Sequence, residues 1–284
     1  MNVYKINHVL VPVDLSECSF NALDAAVNIA KQHNASLSVL YVDENNFQTL
    51  EDVGTPYFSN TMNAADVITA LVGAIQHTHS IQPFVFIEEG NVAETIIKTS
   101  FLQHADLIVM GTHGASGYRD GFIGNNSYNV IKYAGCPVLS VPQKKKLNSF
   151  RKILFPIRPV TGALIPYEVV SHFTSPGTVM EVMGLTYQRI IDTAGSVLGS
   201  VINEISNRLN NDQVIVKSIW SEGSSIADEI IKFTNTTSPD LVVVTSGLDV
   251  TSKPKYIGPH AQKIIHCSKA PVLSIKKITV PAFV

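Results

Sequence analysis

Cysteine is scarce in this chain of 284 residues: Cys18, Cys136 and Cys267 are odd in number, far apart, and never arranged as Cys-x2-Cys. A disulfide framework and a thiolate zinc site are therefore not indicated. No apolar run nears the roughly 18 residues that a bilayer span requires. The opening MNVYKINHVLVPVD lacks the basic, then apolar, then small pattern of a secretory leader. A cytoplasmic protein is expected. An excess of one charge is missing too, since 21 Lys and Arg stand against 23 Asp and Glu. That balance gives no footprint for nucleic acid, and nothing suggests a membrane partner. The one basic cluster, Lys144, Lys145, Lys146, Arg151 and Lys152, reads as a solvated linker.

Several catalytic signatures are also missing. There is no GxGxxG, no Gly-Lys-Ser/Thr P-loop, no GxSxG and no HxGH. Nine histidines invite a metal reading, yet His77 and His79 stand two apart on an expected helix and diverge, unlike ligands at i and i+4. No metal site and no catalytic residue are assigned.

The most informative stretch runs from Asp106 to Val141, DLIVMGTHGASGYRDGFIGNNSYNVIKYAGCPVLSV. Asp106 to Met110 has the continuous apolar run of a parallel strand buried on both faces. Gly111 and Gly114 follow, then Gly124, and Asn125 and Asn126 are placed to start and cap a helix carrying Val130, Ile131 and Ala134. Strand, glycine-rich loop and helix in that order can receive an anion, because glycines permit φ > 0 and close backbone approach while the first helical N–H groups are free.

The preceding chain alternates strands and helices. Tyr4 to Val13 reads as a strand ending on Asp14, and Ser16 caps a helix with Phe20, Leu23, Val27 and Ala30 on one stripe, ended by Asn34. Leu37 to Val42 is a second strand, 62 to 79 a helix, Pro83 to Glu88 a third strand and Asn91 to His104 a third helix. Such alternation predicts an α/β fold with an open parallel sheet covered on both faces. Ligands of these sheets sit beyond the carboxyl ends of the strands, where the strand order reverses, and Asp14 and Gly111 both lie at such ends. The plain reading of Asp14 is a helix-start residue favoured by the macrodipole.

The spacing Gly-x2-Gly-x9-Gly, with DLIVMGTHG before it and CPVLSV after it, resembles the glycine loop of the universal stress protein family. VPVDLSE and its Ala-rich helix resemble that family's first strand and helix. The resemblance implies a Rossmann-like, adenine nucleotide α-hydrolase-like domain that binds ATP, or AMP or ADP, with Mg²⁺ as an optional counter-charge. It implies adenosine contacts at Pro12, Val13, Asp14 and Val42, and a nucleotide loop formed by Met110, Gly111, His113, Gly114, Gly124, Asn125, Asn126 and Ser127. One position departs from the family pattern: Asn125 stands where a hydroxyl residue is expected, and Ser127 is the hydroxyl that could compensate. Slow ATP hydrolysis is a trailing alternative, because Arg119 is the one nearby cation and no base is assigned to orient water.

The chain then repeats itself. Asp106 to Met110 matches Asp240 to Val244, Gly124 matches Gly258, and Pro137-Val138-Leu139-Ser140 matches Pro271-Val272-Leu273-Ser274. A long helix with Ile190, Ala194, Val197, Val201, Ile205 and Leu209 on one face is expected in the second copy. Two tandem open parallel-sheet domains follow, 1–145 and 150–284. The second has lost the site residues: Thr245 answers Gly111, Leu248 answers Gly114, Pro259 answers Asn125 and Arg158 answers Asp14. Family members commonly dimerise across the fifth strand, so the resemblance implies an intramolecular pseudo-dimer with a pseudo-twofold, and leaves a homodimer of whole chains open. The functional expectation is a nucleotide-binding stress protein, with a nucleotide-free interaction protein as the alternative.

Overall fold

A computed structural model describes residues 4–43, 63–112, 124–143, 147, 149–157, 165–186, 193–209, 213–222, 225–245 and 257–276. It divides into two compact units, Ile6–Asn148 and a second made of Met1–Lys5 with Ser149–Val284. The first five residues thus belong with the far half of the chain, and the Tyr4 ring packs edge-on against His172.

The first unit runs β1 (His8–Val13), α1 (Glu17–His33), β2 (Ser36–Asp43), α2 (Ala64–His79), β3 (Phe84–Glu89), α3 (Val92–Leu102), β4 (Leu107–Gly111), α4 (Asn125–Tyr133) and β5 (Val138–Val141). Its strands are parallel and ordered β3-β2-β1-β4-β5. Local chemistry sets the ends. Ser16 caps α1 by accepting the Ser19 N–H, and Asn34 closes it in the left-handed conformation that Asn tolerates. Asn91 caps α3 through the Glu94 N–H. The core is made of Val9, Leu10 and Val11 of β1, Leu37, Val39 and Leu40 of β2, and Leu107, Ile108 and Val109 of β4, all fully buried. Helix α1 adds Ala22, Leu23 and Ala26.

Coverage stops at β3. A sheet hidden on both faces is expected from the sequence, but five of the six β3 residues are exposed. The strand lies at the end of the strand order and β2 is its neighbour on one side.

The second unit runs β6 (Lys152–Ile157), α5 (Ile165–Val170), β7 (Val179–Thr186), α6 (Thr193–Leu209), β8 (Ile215–Glu222), α7 (Ile226–Thr237), β9 (Leu241–Thr245), α8 (Pro259–Cys267) and β10 (Val272–Ile275). Its parallel order, β10-β9-β6-β7-β8, is that of the first unit. Helix α6 buries Ile202, Ile205 and Leu209, whereas Ile190 lies outside the described residues.

The repeat extends to the strand entrances. Asp106 Oδ2 accepts the N–H groups of Asn7 and His8, and Asp240 Oδ2 accepts those of Arg151 and Lys152. Beside each aspartate a basic side chain bridges the second strand and the end of the third long helix. His8 does so through Nδ1 to Gln103 O and Nε2 to Ser38 Oγ, both at 2.7 Å. Lys152 does so through Nζ, 3.1 Å from Thr237 O and 3.4 Å from Glu181 Oε1.

Candidate functional site

In the first unit the strand order reverses between β1 and β4, which pair through Val9 with Leu107 and Leu10 with Ile108. The carboxyl ends of these strands therefore flank the crevice in which such sheets hold ligands. Asp14 follows β1 directly, Gly111 ends β4, and α1 and α4 both start at this end of the sheet.

Helix α4 begins at Asn125 with Gly124 as its N-cap. This corrects the expectation that asparagine caps the helix. Gly124 has no side chain to accept a hydrogen bond, and the ladder opens with Tyr128 N–H donating to Gly124 O at 3.0 Å. The N–H groups of Asn125, Asn126 and Ser127 precede that bond, so the ladder does not use them. They carry the positive end of the helix dipole. Ser127 itself is buried, and its hydroxyl donates to Gly111 O (3.1 Å) and Thr112 O (3.3 Å). The hydroxyl thus holds the helix start against the end of β4.

The glycines owe their identity to something other than φ > 0. Among the described glycines positive φ occurs at Gly90 and Gly177, not at Gly111 or Gly124, and Gly124 has φ −54°. A Cβ on Gly111 would stand 2.8 Å from Cys18 Sγ and 3.2 Å from the Cys18 carbonyl carbon. Glycine there lets α1 start against the end of β4. Cys18 Sγ also donates to Val141 O, tying the same turn to β5. A Cβ on Gly124 would meet only ordinary contacts, the nearest being Thr112 O at 3.5 Å. Gly114 and His113 lie outside the described residues, as does Arg119.

At the opposite side of the crevice, Asp14 Oδ1 accepts the N–H of Ser16 (3.0 Å) and the Ser16 hydroxyl, while the Asp14 N–H donates to Ser19 Oγ. The carboxylate thus organises the turn from β1 into α1, where Leu15 adopts φ 63°. Val13 and Met110 are buried, whereas Pro12 and Val42 are half-buried at the strand ends. Tyr41 pairs with Val13 across β1 and β2. Burial, then the nearby Asp43 and Asp14 carboxylates, push the Tyr41 phenol above its ordinary value, so it remains a hydrogen-bond donor. Tyr41 and Thr112 are site neighbours that sequence reasoning missed. The polar aromatic in the otherwise apolar SVLYV run was the available signal for Tyr41.

With this arrangement in place, residues 5–142 match the family model described as the universal stress protein family. A universal stress protein of Methanocaldococcus jannaschii is 33% identical over 148 residues, covering 51% of this chain and 86% of that protein. This chain belongs to the universal stress protein family. Another universal stress protein, from Bacillus subtilis, is 30% identical over 145 residues, 48% of this chain and 98% of its own. The crystal structure of a universal stress protein from Archaeoglobus fulgidus aligns over 96% of this chain and 99% of that one, with TM-score 0.70 and 20% identity. The fold is therefore shared over nearly the whole length of both chains.

The universal stress protein architecture recurs in the second unit with different residues at the corresponding described positions. There β6 and β9 adjoin through Ile153 with Leu241 and Leu154 with Val242. Helix α8 is again capped by a glycine, Gly258, but its first residue is Pro259, which has no N–H. Ala261 stands where α4 has Ser127, so this position offers no hydroxyl to tie the helix to the strand end. Instead Gln262 folds back and donates through Nε2 to Ile257 O at 2.7 Å. Thr245 ends β9 in place of glycine, while Arg158 and Leu248 lie outside the described residues.

Proposed function

We propose that the first unit binds an adenine nucleotide, ATP or one of its relatives, and that this stress protein changes its interactions with the state of that site. The observation that supports this reading is the start of α4: three N–H groups outside the helix ladder, beside a glycine that neither backbone conformation nor packing requires. An anionic phosphate fits donors of this kind. In this reading Asn125, Asn126 and Ser127 offer their N–H groups to phosphate, with Met110, Gly111, His113, Gly114 and Gly124 completing the loop. Pro12, Val13, Asp14 and Val42 receive the adenosine. Among the described residues no cluster of His, Cys, Asp or Glu is arranged to hold a metal ion, so Mg²⁺ would enter on the nucleotide's own phosphates.

The second unit serves as a partner domain without nucleotide. Its Pro259 supplies the test, because proline is well tolerated as the first residue of a helix while removing one donor. Asn125→Pro should leave the circular dichroism spectrum and melting temperature of the chain unchanged and weaken ATP binding about tenfold or more by calorimetric titration. Equal affinity in parent and variant would place any nucleotide elsewhere. No heat from either would leave the second reading, a nucleotide-free interaction protein. One observation favours that alternative: the Ser127 hydroxyl, needed to stand in for the one missing at Asn125, already donates to two backbone carbonyls.

A further inference from the structure

We infer that the β3 edge of the first unit is a self-association surface, on which a second copy of this chain adds its own β3 in antiparallel fashion. Phe84 is 58% exposed, Val85 41% and Ile87 50%, on a strand with β2 on one side and no paired strand on the other among the described residues. Phe84 projects from one face of the sheet and Val85 with Ile87 from the other, and the outer edge presents backbone N–H and C=O groups ready to pair.

The protein supplies its own comparison. In the second unit β8 occupies the same place, and the registers set Lys217 where β3 has Phe84 and Ser218 where it has Val85. A lysine in an edge strand is a common means of blocking pairing. At these two positions the second unit's edge strand carries polar residues where the first unit's carries large apolar ones, on the same fold.

A second copy fits this edge because the strand complements itself. A two-fold axis normal to the sheet brings residues of like parity face to face. Centred on Val85, it sets Val85 against the partner's Val85 and Phe84 against the partner's Phe86, with a second such pair by symmetry. Cross-strand aromatic and β-branched pairs of this kind stabilise sheets. The charges agree with the direction. Glu88 and Glu89 end the strand, and antiparallel pairing sets Glu88 against the partner's Gln82. The two Glu88 carboxylates are then about 20 Å apart along the strands, beyond a Debye length of about 8 Å at physiological salt. Parallel pairing would stack the four carboxylates together.

Because Val85 lies on the axis, it meets its own image, which permits a test of charge reversal. Sedimentation velocity of the parent chain at about 100 μM should show a species of twice the 30.9 kDa monomer mass. Val85→Lys and Val85→Glu should each sediment as monomers, since each sets like charges directly opposite. An equimolar mixture of the two should return to the dimer. Both variants should fold, as the second unit carries a serine at this position, and an unchanged circular dichroism spectrum checks this. A monomeric parent would overturn the proposal. So would a dimer that survives Val85→Lys, which would show association through another surface, or a mixture that remains monomeric.

Discussion

Gly111 and Gly124 occupy one loop in sequence but face different neighbours, and the difference sets what each substitution should do. At Gly111 an added methyl meets Cys18 Sγ at 2.8 Å and Cys18 backbone at 3.2 Å, so α1 or β4 must shift. Overpacking of this kind costs about 1–3 kcal/mol. Gly111→Ala should lower stability by that order in urea denaturation, whether or not nucleotide is present. Gly124→Ala meets nothing closer than 3.5 Å and should cost less than about 1 kcal/mol, the loss of a favourable N-cap residue. A reduction in ATP affinity at Gly124→Ala would then report on the site rather than on folding. The positions of both glycines were legible in the sequence, since they follow a buried apolar run and precede a helix. The reason for Gly111 was not, because its neighbour Cys18 is brought there by the crossover of α1, a contact that no local pattern encodes. Ser127 is similar: its place at the helix start was readable, but its hydroxyl donates to Gly111 O and Thr112 O, a long-range commitment.

Between elements, the two units solve one joint with different chemistry. Where β1, β2 and α3 meet, the carbonyl of Gln103 can only accept, so His8 Nδ1 carries the proton and Nε2 accepts from the buried Ser38 hydroxyl in the neutral ring. Where β6, β7 and α7 meet, the Lys152 ammonium and the Glu181 carboxylate take those places, and Glu181 Oε2 has no partner among the described residues. Removing one member of a largely buried charged pair strands the other. Glu181→Ser alone should therefore destabilise the chain by about 1–3 kcal/mol. Adding Lys152→His transplants the first unit's set and should recover at least half of that loss in urea denaturation. Simple additivity of the two substitutions would mean that the residues are not coupled. At this scale the sequence was most readable. Ser16, Asn34 and Asn91 mark helix ends through short-range capping, and unbroken apolar runs mark β1 and β4. The exposure of β3 was not readable, because FVFI has the composition of a covered strand and only the strand order shows that it is the last one.

For the whole chain, the internal repeat announced two similar sheets, yet it did not reveal that Met1–Lys5 group with Ser149–Val284. Tyr4 precedes the repeat, and its seat on His172 depends on the three-dimensional path of the chain rather than on any pattern. The division into units makes a prediction that separates ligand binding from its transmission. A ligand that binds only the native state stabilises it by RT ln(1 + [L]/Kd), about 2.7 kcal/mol at a hundredfold excess over Kd. If nucleotide binds the first unit and that unit opens on its own, the most protected amides of β1 and β4 should exchange roughly a hundredfold more slowly with ATP at that excess. Those of β6 and β9 should not change. Hydrogen exchange followed by mass spectrometry reads both sets in one sample. Slowing confined to β1, β4 and α4 would make the first unit the nucleotide sensor and the second a passive partner. Equal slowing in both sets would mean that the units open together, so that a ligand in one sheet stabilises the other. The second unit would then be energetically linked to nucleotide bound by the first.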